Sequence, residues 1–117
     1  MDKYIFPGIM VLLIAVFFIC TQIMGTTVRK KIMEKIAQGA KIIDVRTPAE
    51  FAVRHYEGAI NIPLDQIGSN LSLIGPKDKP VILYCASGAR SASAAGILKQ
   101  AGFLDVTNAG SIANMPK

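Results

Sequence analysis

The chain has 117 residues, 51% of them apolar, with a net charge of +5, two cysteines and one histidine. That length suits one domain, and so few cysteine and histidine residues build neither a disulfide framework nor a closed metal site. The basic excess comes without aromatic interleaving or a dense basic stripe, which argues against nucleic-acid binding.

From Tyr4 to Met24 the sequence YIFPGIMVLLIAVFFICTQIM carries no charged side chain. A helix of about 20 such residues crosses a hydrocarbon core of ~30 Å, so a transmembrane anchor over residues 4–24 is predicted. A cleaved secretory signal fits less well: the apolar run is too long, Asp2 offsets Lys3, and no A-x-A pattern follows. Bulky Phe17, Phe18 and Ile19 argue against a lipoprotein cysteine at Cys20, which reads as a small apolar membrane residue. Pro7 and Gly8 weaken only the first turn, where a missing N–H is tolerated. Arg29, Lys30, Lys31 and Lys35 follow the span, against Lys3 alone before it. Basic flanks stay on the cytoplasmic side, so the expectation is a single-pass protein with its N-terminus out and its soluble part in the cytoplasm. The basic cluster would also sit favourably against anionic head groups.

Residues 26–40 read as a basic tether and an amphipathic helix with Val28, Ile32, Met33 and Ile36 at helical spacing, stopped at Gly39. The division expected is therefore an anchor over 1–25, this tether and helix, and a folded domain over 41–117. Counted with its first helix, the domain covers about 28–117. KIIDVR supplies a buried strand. A helix start follows at once, with Thr47 as cap, Pro48 at the first position and Glu50 three residues after the cap. A short strand is expected at residues 59–61, closed by Pro63, then two helical turns and a loop over 64–74. After the GPKDKP turn, PVILYC is a continuous apolar strand. SASAAGILKQAGF reads as a helix with Ala92, Ala95, Leu98 and Ala101 on one side and Gly102 as its stop, and a last strand is expected near 105–107. Strands alternating with helices predict a mainly parallel α/β sheet covered on both faces, with its chemistry beyond the carboxyl ends of the strands. Cys85 lies at such an end.

The loop Ala86, Ser87, Gly88, Ala89, Arg90, Ser91 joins that strand to a helix start, so its N–H groups can converge on one point where the helix dipole adds positive charge. A sulfur placed there is more readily deprotonated, and Arg90 adds a full charge nearby. Gly88 suits a tight turn. A cysteine phosphatase needs a C-x5-R loop to ring a phosphoryl group. This chain has C-x4-R, a smaller ring suited to a persulfide.

IIDVRTPAEF, the GAINIP run with His55 before it, PVILYCASGARS and the LKQAGF helix end occur in an order and spacing that resembles the single-domain rhodaneses, or thiosulfate sulfurtransferases, over residues 30–113. The resemblance implies a parallel five-stranded α/β sheet, here four- to five-stranded because the anchor and tether stand where the family's first strand often lies. It implies Cys85 as nucleophile and persulfide carrier, residues 86–91 as its cradle, and Arg90 as binder of an anionic donor. Asp44 and Arg46 match the family's DVR motif and would brace the loop, while His55 reads as a packing residue. Thiosulfate or a persulfide is implied as donor, and cyanide or a thiol such as glutathione or a thioredoxin-like protein as acceptor, with no cofactor. Ser111 and Met115 depart from the GGI-x-x-W ending common in the family. The alternatives are a docking or regulatory module on the same fold and, against the loop length, a phosphatase or arsenate reductase.

Overall fold

The computed structural model describes the backbone of residues 2–117 and the side chains of residues 8–23 and 27–117. The side chains of Lys3 and Pro7, and the outer ends of the expected span, lie outside the described residues. In chain order the elements are α1 (Asp2–Ala37), β1 (Lys41–Asp44), α2 (Pro48–Val53), β2 (Ile60–Asn61), two 3-10 segments (Leu64–Ser69 and Leu71–Leu73), β3 (Val81–Cys85), α3 (Ala89–Gln100), β4 (Val106–Ser111) and a 3-10 turn (Ile112–Asn114).

α1 is one helix of 36 residues, ~54 Å long at 1.5 Å per residue. The helix continues through residues 25–27, where the tether was expected to begin. Its apolar stretch is long and apolar enough to cross a membrane, and none of it is buried in the protein. Thr21 and Thr27 donate their hydroxyls to the carbonyls of Phe18 and Ile23, both at 2.8 Å, which leaves those polar groups satisfied within the helix. Of the four apolar residues expected to face the fold, Ile32 is fully buried and Ile36 partly so, whereas Val28 and Met33 remain exposed.

The four strands form one parallel sheet in the order β2-β1-β3-β4. Among the described residues no fifth strand joins it. β3 is central and buried at every position, so it reads as an unbroken apolar run, and its alternate side chains serve two cores. Val81, Leu83 and Cys85 pack with Ile43, Val45 and Ile67 and with Ala94, Ala95 and Leu98 of α3. Ile82 and Tyr84 pack on the opposite face with Ile42, Ala109, Met115 and Ile32 of α1. Burying one such side chain contributes about 1.5–3 kcal/mol, so the last turns of α1 hold the sheet's second face.

The sheet's far strand is longer than its expected three residues, running from Val106 to Ser111 with a register shift opposite Leu83 and Tyr84. At that shift Asn108 Oδ1 accepts from Gly110 N at 2.9 Å, and Gly110 takes φ +80°. The chain then closes in a defined turn, with Ser111 Oγ accepting from Ala113 N and Met115 buried. α3 buries Ala95 and Leu98 and half-buries Ala101 as expected, adds Ser91 and Ala94 to that face, and leaves Ala92 exposed.

Candidate active site

β1 and β3 pair from Lys41–Val81 to Asp44–Tyr84 and end together at one edge of the sheet. There the capping box expected at Thr47 is formed. Thr47 Oγ1 accepts from Glu50 N, and Glu50 Oε1 accepts from Thr47 N, both at 3.2 Å. The start of α2 is thereby pinned beside the Cys85 loop.

α3 begins without a side-chain cap, and the Cys85 sulfur takes that place. Its Sγ accepts from Gly88 N at 2.9 Å and from Ser91 N at 3.4 Å, so donors that a helix start leaves unpaired are turned onto sulfur. Gly88 makes this possible with φ +105°. A Cβ there would lie 3.4 Å from Gly110 Cα, an ordinary contact, so it is the backbone angle that favours glycine.

Ser91 Oγ lies 3.4 Å from Cys85 Sγ, 3.0 Å from the Gly88 carbonyl and 3.5 Å from the Gly110 carbonyl. With one hydroxyl proton it can donate to a carbonyl while the thiol is neutral, then turn and donate to a thiolate. Burial pushes the Cys85 thiol up. The hydrogen bonds from the Ser91 hydroxyl and N–H, and from the N–H groups of Gly88 and Ser87, outweigh that burial and hold it below its ordinary value. Cys85 has no exposed surface, whereas Ala86, Ser87 and Ala89 at the rim are exposed.

Arg90 points from the loop to Glu50, its Nη1 and Nη2 donating to the two carboxylate oxygens at 2.8 and 3.0 Å. This end-on pair leaves the Nε–H and one proton on each Nη for another anion. Arg90 holds the Glu50 carboxyl down at about 2, helped by the Thr47 N–H. A cleft of about 330 Å³ opens beside the pair, lined by Val45, Thr47, Pro63, Leu64, Asp65 and Arg90.

Asp44 and Arg46, expected to brace the loop, pair with each other at the end of β1. Arg46 turns back onto Asp44, with Nε at 3.1 Å from both oxygens and Nη2 at 2.8 Å from Oδ2, and donates a further bond to the Arg54 carbonyl. Asp44 is fully buried and also accepts from Arg46 N. Asn61 Nδ2 donates to the carbonyls of both residues. The pair therefore fastens the exit of β1 to the end of α2, and the buried carboxylate is compensated by a hydrogen-bonded cation. His55 is exposed, where its ring stacks on Phe51 at 3.9 Å and Nδ1 lies 2.9 Å from the Phe51 carbonyl. Glu50 was legible only as a helix cap, since its partner Arg90 lies 40 positions away. Among the described residues no group of acidic, histidine and cysteine side chains could hold a metal ion.

A parallel α/β sheet whose central strand delivers a cysteine into the N–H groups of a helix start defines a class of cysteine-loop α/β proteins. Within that class the chain belongs to the rhodanese-like family: the Rhodanese-like domain profile matches residues 28–112. It is similar to the thiosulfate sulfurtransferase PspE of Escherichia coli, 40% identical over 78 residues, covering 64% of this chain and 75% of that one. The uncharacterized protein YqhL of Bacillus subtilis is 36% identical over 109 residues, 86% of each chain. Among solved structures a rhodanese with anions from E. coli superposes with a TM-score of 0.62 at 36% identity, covering 66% of this chain and 94% of that one.

Proposed function

We propose that the chain is a membrane-anchored sulfurtransferase that carries sulfane sulfur as a persulfide on Cys85. The observation that carries this reading is the convergence of the Gly88 and Ser91 N–H groups on Cys85 Sγ with a cationic Arg90 at the rim. In the first half-reaction the Cys85 thiolate attacks the outer sulfur of thiosulfate. A new S–S bond forms, the old one breaks, and sulfite leaves with its electron pair. In the second, a cyanide or thiolate acceptor such as glutathione attacks the outer sulfur of the persulfide, and Cys85 leaves as the thiolate. No proton needs a dedicated base in either step. The cradle N–H groups offset the negative charge in both states, and Arg90 attracts the anionic donor through the protons that Glu50 leaves free. The C-x4-R length favours sulfur over a phosphoryl group.

In this reading residues 4–24 span the bilayer with the N-terminus outside, and the catalytic domain, about residues 28–117, lies at the cytoplasmic face. Incubation of the full chain with thiosulfate should add the mass of one sulfur at Cys85, and cyanide should then release it as thiocyanate. No adduct and no thiocyanate would defeat the proposal. Arg90→Ala should raise KM for thiosulfate about tenfold, the loss of one charge-assisted contact, while alkylation of Cys85 by neutral iodoacetamide changes far less.

A further inference from the structure

The direction in which α1 crosses the sheet fixes which edge of the domain meets the membrane. Lys35, in the last turn of α1, pairs with Asp105 at 2.7 Å. The Asp105 carbonyl in turn accepts from Val81 N, the first residue of β3. The end of α1 therefore lies at the amino edge of the sheet, and Lys41 N, bonded to the Pro80 carbonyl, begins β1 at that same edge. Ile32, one turn earlier, is fully buried in the cluster of Ile42, Ile82, Tyr84, Ala109 and Met115 under the sheet, inward of that edge. α1 thus runs antiparallel to the strands, and followed back toward its start it passes the edge that carries Cys85.

The distances place that edge against lipid. β3 advances ~13 Å from Val81 to Cys85 at ~3.3 Å per residue, which α1 covers in about nine residues at 1.5 Å each. Counted back from Lys35, the helix draws level with Cys85 near residue 26, and the uncharged run ends at Met24. Arg29, Lys30 and Lys31, all exposed, follow directly. From this geometry we infer that the carboxyl edge of the sheet, with the Cys85 loop, rests on the anionic head-group surface, so that sulfur exchange takes place within the head-group layer. The inference rests on the reading of α1 as an anchor. The opposite edge, with Asp78 and exposed Leu104, faces away from the bilayer.

The test uses the full chain in vesicles containing anionic lipid, in a Cys20→Ser, Cys85→Ser background. A fluorophore is placed by Ala113→Cys at the carboxyl edge, or by Leu104→Cys or Asp78→Cys at the amino edge, and head-group nitroxide lipids serve as a short-range quencher. Quenching at 113 should exceed that at 104 and 78 several-fold. Equal or reversed quenching in a chain that resists carbonate extraction would overturn the orientation and leave the anchor standing. Extraction by carbonate, with no quenching at any position, would overturn the anchor and the orientation with it.

Discussion

Removing the Ser91 hydroxyl isolates the one group at the cradle that can follow the charge on sulfur. Ser91 is fully buried, and its Oγ sits within reach of both Cys85 Sγ and the Gly88 carbonyl. Ser91→Ala keeps the Ser91 backbone donor and the Gly88 donor while deleting the side-chain bond. A hydrogen bond to a charged group contributes about 1.5–3 kcal/mol, and its lower end corresponds to a factor of about ten in thiolate population. In a Cys20→Ser background, alkylation of Cys85 followed by mass spectrometry across pH should be about tenfold slower than in the parent near neutral pH. The two should converge at high pH, where both sulfurs are ionised. Because the buried thiol slows alkylation in both proteins, the separation of the two profiles along the pH axis is the readout. Superimposed profiles, or a displacement toward lower pH, would show that the hydroxyl stays on the Gly88 carbonyl and gives nothing to sulfur.

Gly88→Ala should cost about 1–2 kcal/mol for a left-handed backbone angle, seen as a melting temperature lower by several degrees together with slower alkylation of Cys85. Leu98→Ala, which empties a fully buried site under the sheet, should lower unfolding free energy by about 2–5 kcal/mol in denaturant titration. Glu50 is a depressed carboxylate, so its contribution is fully present above its ordinary value of 4.5 and is lost as pH falls through about 2. Its side-chain carbon resonance should therefore stay that of an ionised group at pH 4 and change only toward about 2, while Arg90→Ala moves the titration upward but short of the ordinary value, because the Thr47 bonds remain.

The parts of the fold that the sequence makes legible are those decided locally. Thr47, Pro48 and Glu50 lie within one turn, so their capping bonds can be read from spacing alone, and β3 is recognisable because burial on both faces leaves it wholly apolar. β4 is longer than its residues suggest. Asn108 and Gly110 have little strand propensity, and it is pairing with β3 through a register shift that keeps them extended. The buried face of α3 holds the expected Ala95 and Leu98 and also Ser91, which looks like a surface cap until its hydroxyl is placed beside the sulfur. Residues 25–27 read as a tether because glycine and threonine are poor helix formers, yet the helix continues through them into turns packed on the sheet. Glu50–Arg90 and Lys35–Asp105 join residues 40 and 70 positions apart, and such pairs exist only once the sheet has brought their elements together.

The proposed sharing of α1 between lipid and sheet also bears on the order of assembly. Chains emerge from synthesis N-terminus first, so an anchored α1 as proposed would be seated in the bilayer before any strand exists. Ile32 would then await the face of β3 that it covers. The remaining chain would fold against a partner already confined to two dimensions and held at one tilt. Its search for Ile32 would become a local one, and the proposed anchor would make the membrane the first template of the domain.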